Sequence, residues 1–295
     1  MPWKTALHSV SYAGLLGQAT LPLEACVDKA AALGFDAVML MAKRPHLSPL
    51  DADADRIRSL RERLQQRRLA VACLAGYNDF ALRSDAVGTP FGEMQLLYVR
   101  ELCRLARELE CPLVRLFTGF PLGGAFQESD WQSCVRSLRE AAQIAAECGV
   151  TIGVQNHHDL ACHYASLLDL LAEVNAPNCR LIFDAWAAAL HGDDVAAAAA
   201  ELGPRMVHTT VADYVRRPQF RYEPQLVNYV TAPAAVRAVP LGEGFIDYAG
   251  FFRALRQTGY NGYIAYEMCS PLQGGGAEAN LDRYARRFLE YLRDL

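Results

Sequence analysis

The sequence predicts a single α/β domain closed as a (β/α)8 barrel, and three observations carry that prediction. Short β-like runs alternate with longer amphipathic stretches through eight units, with no block of strands alone or helices alone. Such alternation builds a parallel sheet. The chain has 295 residues, enough for one barrel of this kind. No Gly-x-Gly-x-x-Gly follows the first strand, which counts against the doubly wound, dinucleotide-binding alternative.

In order, the expected strands cover 6–10, 37–41, 69–74, 113–117, 151–154, 180–183, 206–210 and 263–266. Helices are expected over 22–33, 55–67, 93–109, 130–148, 165–174, 193–202, 248–258 and 279–292. The third helix shows why: Leu97, Leu102, Leu105 and Leu109 recur at helical spacing. Asp130 and Asp193 or Asp194 stand where N-caps belong, and Gly34, Gly149 and Gly259 stand where helices stop.

The stretch 211–241 breaks the rhythm. It mixes Tyr214, Arg216, Arg217, Phe220, Tyr222 and Tyr229 with four prolines and is too long for an ordinary βα loop. Because it leaves the C-terminal end of strand seven, the catalytic face of a barrel, it reads as a lid over a substrate. A protein-contact loop is the other reading.

Apolar residues make up 52% of the chain and charged ones 21%, with a net charge of −4. Acidic and basic residues are well mixed, which gives no support to a nucleic-acid partner. No apolar run is long enough for a membrane span. Nine scattered cysteines with no C-x-x-C pair read as reduced thiols in a cytoplasmic protein.

Polar and ionisable residues gather where strands end. Strand five runs into Gln155-Asn156-His157-His158-Asp159, strand six ends in Asp184, strand seven holds His208 and ends near Asp213, and strand eight ends in Glu267. A buried carboxylate is costly unless a cation accompanies it. One divalent ion in the barrel mouth would neutralise Asp184 and Glu267 together, with Gln155 and a histidine such as His208 filling the remaining positions. Mixed O/N ligation suits Mn2+, Mg2+, Co2+ or Zn2+. Trp186 is placed to stack on a sugar face, Arg216 or Arg217 to meet an anionic group, and Glu243 to touch substrate or orient the last loop. Asn78 and Arg115 are expected on the far wall. Each has a plainer reading: Asp184 as a helix cap, His208 as a core histidine, Trp186 as a core aromatic, Glu243 as a solvated turn.

At these residues the chain resembles the xylose isomerase-like TIM barrel superfamily, the sugar phosphate isomerase/epimerase group. Its Leu241-Gly242-Glu243-Gly244-Phe245-Ile246-Asp247 is similar to the family's LGEG-x-(V/I)-D segment, and Gly259-Tyr260-Asn261-Gly262 to its GY-(D/N)-G before the last-strand glutamate. Asn156-His157 and Phe183-Asp184 resemble its strand-five and strand-six ends, and the likeness covers nearly the whole chain. It implies a metal held by Glu, Asp, His and Glu from strands five to eight. Asp184 and Glu267 carry over. The strand-five glutamate is Gln155, the strand-seven H-x-H-x-x-D reads His208-Thr209-Thr210-Val211-Ala212-Asp213, and the histidine expected after Asp184 is Ala187. Thr210 therefore takes the ligand position, and His208 faces inward one layer deeper.

The resemblance implies a metal-dependent isomerase or epimerase that removes a proton next to a carbonyl of a sugar or keto-sugar. Gln155 takes no proton, so the family's two-glutamate epimerisation is not available. Glu267 is left as one base, with His157, His158 or Asp213 as the second acid/base group. Two alternatives remain. One is a keto-sugar lyase of the inositol-dehydratase or C-glycoside-deglycosidase type. The other is a metal-free, non-catalytic sugar-binding barrel. The superfamily also implies a homo-oligomer.

Overall fold

A computed structural model describes residues 2–82, 88–120 and 126–295. Eight parallel strands close on themselves: β1 (Lys4–His8), β2 (Ala37–Met41), β3 (Ala70–Ala75), β4 (Leu113–Leu116), β5 (Thr151–Gln155), β6 (Cys179–Asp184), β7 (Met206–Val211) and β10 (Tyr263–Tyr266). The barrel shuts where β1 pairs with β10, Ala6 opposite Ala265. Around it lie α1 (Leu23–Leu33), α2 (Ala54–Arg67), α3 (Phe91–Glu108), α4 (Glu128–Glu147), α5 (Tyr164–Val174), α6 (Ala185–His191), α7 (Val195–Leu202), α8 (Tyr248–Gln257) and α9 (Glu278–Asp294). The layer between helices and strands is one large apolar core, from Leu7 and Leu23 round to Phe288 and Leu292.

The two-residue repeat of a strand decides what fills the barrel. A lower layer is apolar: Ala6, Ala37, Met39, Cys73, Leu113, Ile182 and Ala265 form one buried cluster. Two residues further along the strands stand His8, Arg115, Asp184 and Glu267, and Gln155 stands two beyond Gly153. His208 and Thr210 are likewise two apart on β7. The same alternation that packs the floor thus lifts polar groups to the C-terminal end, where barrels place their chemistry.

Three expectations need correcting. The first strand begins at Lys4 and stops at His8, because Ser9–Tyr12 coils into a 3-10 turn. A short helix, α6, follows β6 directly. The stretch 211–241 is not an irregular loop. It holds an antiparallel ribbon of β8 (Asp213–Glu223) and β9 (Asn228–Val239). Its register slips between Arg217 and Gln219, around Pro218. Most of the ribbon is exposed, including Phe220, Tyr222 and Tyr229.

Asp213 anchors the base of this ribbon. Its Oδ1 accepts from the Tyr214 amide, and its Oδ2 accepts from those of Gly242 and Gly244, each at 2.9 Å. A Cβ on Gly244 would collide with that carboxylate. Gly244→Ala is therefore expected to cost about 1–3 kcal/mol through overpacking, read by urea denaturation. Gly92→Ala, where an added Cβ meets nothing within 4 Å, serves as control.

All nine cysteines are free. Among the described residues no helix is long and apolar enough to cross a membrane.

Candidate active site

A cavity of about 390 Å³ opens at the C-terminal end of the barrel. Its walls include Tyr77, Asn78, Phe117, Phe120, His157, His158, Glu267 and Cys269. A larger cavity, about 690 Å³, lies at the opposite end, against Trp3, Asp36 and Arg256. It contains none of the strand-end polar residues, so size alone does not locate the chemistry.

Glu267 follows β10, fixed by its amide to the Val211 carbonyl at 3.1 Å. Its side chain is almost wholly buried, and Oε2 has no hydrogen-bond partner. His8 Nδ1 lies 3.5 Å from that oxygen without hydrogen-bond geometry. Burial pushes the Glu267 carboxyl up, but His8, Arg115 and His157 together outweigh it and hold the group below its usual range. Burial also holds His8 neutral. At neutral pH the lasting support for the Glu267 anion is therefore the Arg115 guanidinium.

Asp184 is fully buried at the end of β6. Burial, then the Glu267 charge, push its carboxyl well up. Gln155 Nε2 donates to its Oδ2 at 2.7 Å and to Thr210 Oγ1 at 3.1 Å, and the Thr210 hydroxyl donates to Oδ1. Both carboxylate oxygens thus accept from neutral side chains of the flanking strands. Although Asp184 occupies the N-cap position of α6, its side chain makes no capping hydrogen bond.

The other anticipated residues divide clearly. His157 and His158 both reach the cavity, with rings 3.8 Å apart. Burial first, then His158 and Arg115, bring His157 down to about 3. His208 is buried with both nitrogens unpartnered, lowered to about 3 chiefly by burial. It stays in the deeper layer and hydrogen-bonds neither Asp184 nor Glu267. Trp186 does not line the cavity; its ring stands edge-on to His157 at 5.9 Å. Asn78 reaches the cavity, but its amide is committed to the backbone of Phe117, donating to the carbonyl at 2.8 Å and accepting from the N–H at 2.9 Å. Asp213 is spent on the ribbon base, as described. Arg216 stacks on Phe245 at 4.4 Å and bonds the Ala189 carbonyl, away from this cavity. Glu243 is an exposed turn residue. No residue of the ribbon lines the cavity.

Two residues matter more than the sequence suggested. His8 passes for an ordinary polar position. Arg115 is assigned only to the far wall, yet it is fully buried, its guanidinium 3.8 Å over the Phe117 ring and 5.0 Å from that of Tyr77. The signal was a charge inside the apolar run Leu113-Val114-Arg115-Leu116-Phe117, since arginine is rarely so buried without a reason.

The resemblance implies a divalent ion on Gln155, Asp184, His208 and Glu267, but the donors do not fit one. Gln155 turns its N–H, not its oxygen, to Asp184. Both Asp184 oxygens are already occupied, and Thr210 offers a hydroxyl where a stronger ligand is needed. Among the described residues no three His, Cys, Asp or Glu side chains converge at ligating distance.

Comparison with known proteins agrees with the architecture. The family described as xylose isomerase-like TIM barrel matches residues 27–295. A 3-dehydroshikimate dehydratase of Bacillus anthracis is 25% identical over 201 residues, 66% of this chain and 68% of that one. An inosose dehydratase of Geobacillus kaustophilus is 28% identical over 173 residues, 56% of this chain but only 53% of the relative. The structure of a D-allulose 3-epimerase from Methylomonas sp. superposes with a TM-score of 0.72 at 19% identity, covering 99% and 98% of the two chains. At that identity the likeness speaks for the fold alone. With the closed eight-stranded barrel and a match over most of its length, the chain belongs to the xylose isomerase-like TIM barrel family.

Proposed function

We propose that this barrel is a lyase that removes water from a small polyhydroxylated ketone, with Glu267 as the base. The observation that carries the reading is the Glu267 carboxylate. It is buried, lines a cavity of substrate size, and has an oxygen, Oε2, that lies beside His8 with no hydrogen-bond partner. The only other carboxylate on that wall among the described residues, Asp79, has Oδ1 engaged by the amides of Ala81 and Phe120.

Glu267 takes the proton from the carbon next to the carbonyl, and the electron pair moves onto the carbonyl oxygen as an enolate. When the carbonyl re-forms, a C=C bond is made to the β-carbon and the β-hydroxyl leaves, carrying a proton away as water. One base that receives and returns the proton is sufficient for this sequence. Epimerisation, the first expectation from the resemblance, needs a proton delivered to the opposite face. Gln155 stands where that second base belongs and cannot supply it. Two relatives named as dehydratases support the same choice.

The test is product analysis in D2O with 3-dehydroshikimate and an inosose as probes. A product lighter than substrate by one water is expected. Deuterium at the α-carbon with no loss of water would replace the lyase with an isomerase or epimerase. No turnover of either ketone, together with no saturable binding, would leave a barrel without this activity.

A further inference from the structure

An enolate formed in a buried site needs a positive charge close by, and the donor set around Asp184 does not suit a metal. Zinc asks for about four ligands, and magnesium or manganese for about six oxygens. Besides Glu267 Oε2, the open oxygen here is Gln155 Oε1. The Asp184 carboxylate is closed on one side by the Gln155 amide and on the other by the Thr210 hydroxyl. Three side chains from adjacent strands thus satisfy one another where an ion would sit.

A permanent cation is nevertheless present. Arg115 rises from β4 two residues above the floor residue Leu113. Arg115 does not itself line the cavity; its guanidinium lies against Phe117 and Tyr77, which share the cavity wall with Glu267. Its Nε is buried without a hydrogen-bond partner. Among the described residues no carboxylate pairs with it at salt-bridge distance. Arginine stays charged at every physiological pH, and a buried charge left unpaired is costly. In the free protein its charge supports the Glu267 anion without a salt bridge; once Glu267 has taken the proton that anion is gone, and the enolate becomes the counter-charge.

We infer that the Arg115 guanidinium supplies the positive charge that stabilises the enolate oxygen, and that the chain holds no resident divalent ion. The role of the charge rests on the lyase reading above; its identity does not.

The full chain, purified without chelator, is analysed for metal by mass spectrometry and titrated with Mn2+ while free Mn2+ is followed by electron paramagnetic resonance. Less than about a tenth of an equivalent of any divalent metal is expected, with no depletion of free Mn2+ up to about 1 mM. The double variant Gln155→Glu/Thr210→His, which rebuilds the implied ligand set, should deplete the signal with one ion per chain. Arg115→Met removes the charge, while Arg115→Lys retains it. Turnover should fall by about 10^2- to 10^3-fold in Arg115→Met. One equivalent of tightly held metal in the natural chain, or depletion of Mn2+ by it, would overturn the inference. So would turnover by Arg115→Met within about tenfold of the natural chain. The metal readouts need no substrate, so a failure to find turnover defeats the lyase reading without deciding them.

Discussion

Glu267→Gln should abolish turnover, by about 10^3- to 10^4-fold in kcat/KM, while leaving the fold intact. The amide is nearly the same size, so the wall of the cavity and the backbone bond from residue 267 to Val211 should persist. What is lost is the carboxylate whose Oε2 has no hydrogen-bond partner. The natural side chain is buried beside a neutral His8 at 3.5 Å and has no hydrogen-bond donor on Oε2. The carboxyl is held below its usual range by His8, Arg115 and His157, so the fold favours the ionised form at neutral pH and the variant should melt somewhat lower than the natural protein. Glu267→Asp, one methylene shorter, keeps the charge but withdraws it. It should fall about 10^2-fold, the scale of a misplacement near 1 Å. Circular dichroism melts beside the kinetics separate the two effects. A Glu267→Gln enzyme within tenfold of the natural rate would remove Glu267 from the reaction.

The barrel was legible because its two periodicities are strong. Apolar runs of strand length alternate with amphipathic stretches of helix length, and local pattern and global fold agree almost everywhere. The ribbon of β8 and β9 was not legible. Both of its faces are largely exposed, so no apolar alternation marks it. Pro218 and Pro233 read as loop residues, although an edge ribbon tolerates proline. Helix α6 escaped for a different reason. It has seven residues and begins at Ala185 with no connecting loop after Asp184.

At the site, strand ends pointed to the right region but not to the roles within it. Asp184 and Glu267 stand at the barrel mouth as anticipated, yet Asn78 and Asp213 are occupied by backbone groups and Arg216 and Glu243 lie off the cavity. Sequence position says which way a strand residue points. It does not say which polar partner a residue past the strand will choose. Arg115 was readable in principle, because a charge within an apolar strand demands an explanation.

Asn156→Ala should be among the most destabilising single changes in the chain, although it alters neither charge nor any proposed catalytic group. Asn156 follows β5 and is wholly buried. Its Oδ1 accepts from the Asp184 amide at 2.5 Å, and its Nδ2 donates to the Asp184 carbonyl at 3.1 Å. The side chain therefore stands in for a sheet partner where β5 has already ended. Asn78 does the same one pair of strands earlier, binding both backbone groups of Phe117 after β3 has ended. In each case alanine strands a buried donor and leaves a small void. The expected cost is about 2–4 kcal/mol, seen as a fall in melting temperature of about 5–10 °C. Asn156→Asp separates the two bonds: it still accepts from the amide but has no N–H for the carbonyl, and it brings a new charge into a wholly buried position. It should therefore also destabilise, with a loss that eases as pH falls and the new carboxyl becomes neutral. If Asn156→Ala and Asn78→Ala both melt within a degree or two of the natural protein, the paired asparagines are not what holds the upper rim of the barrel in place. The rigid placement of Asp184 and of the Phe117 wall against Glu267 would then need another cause.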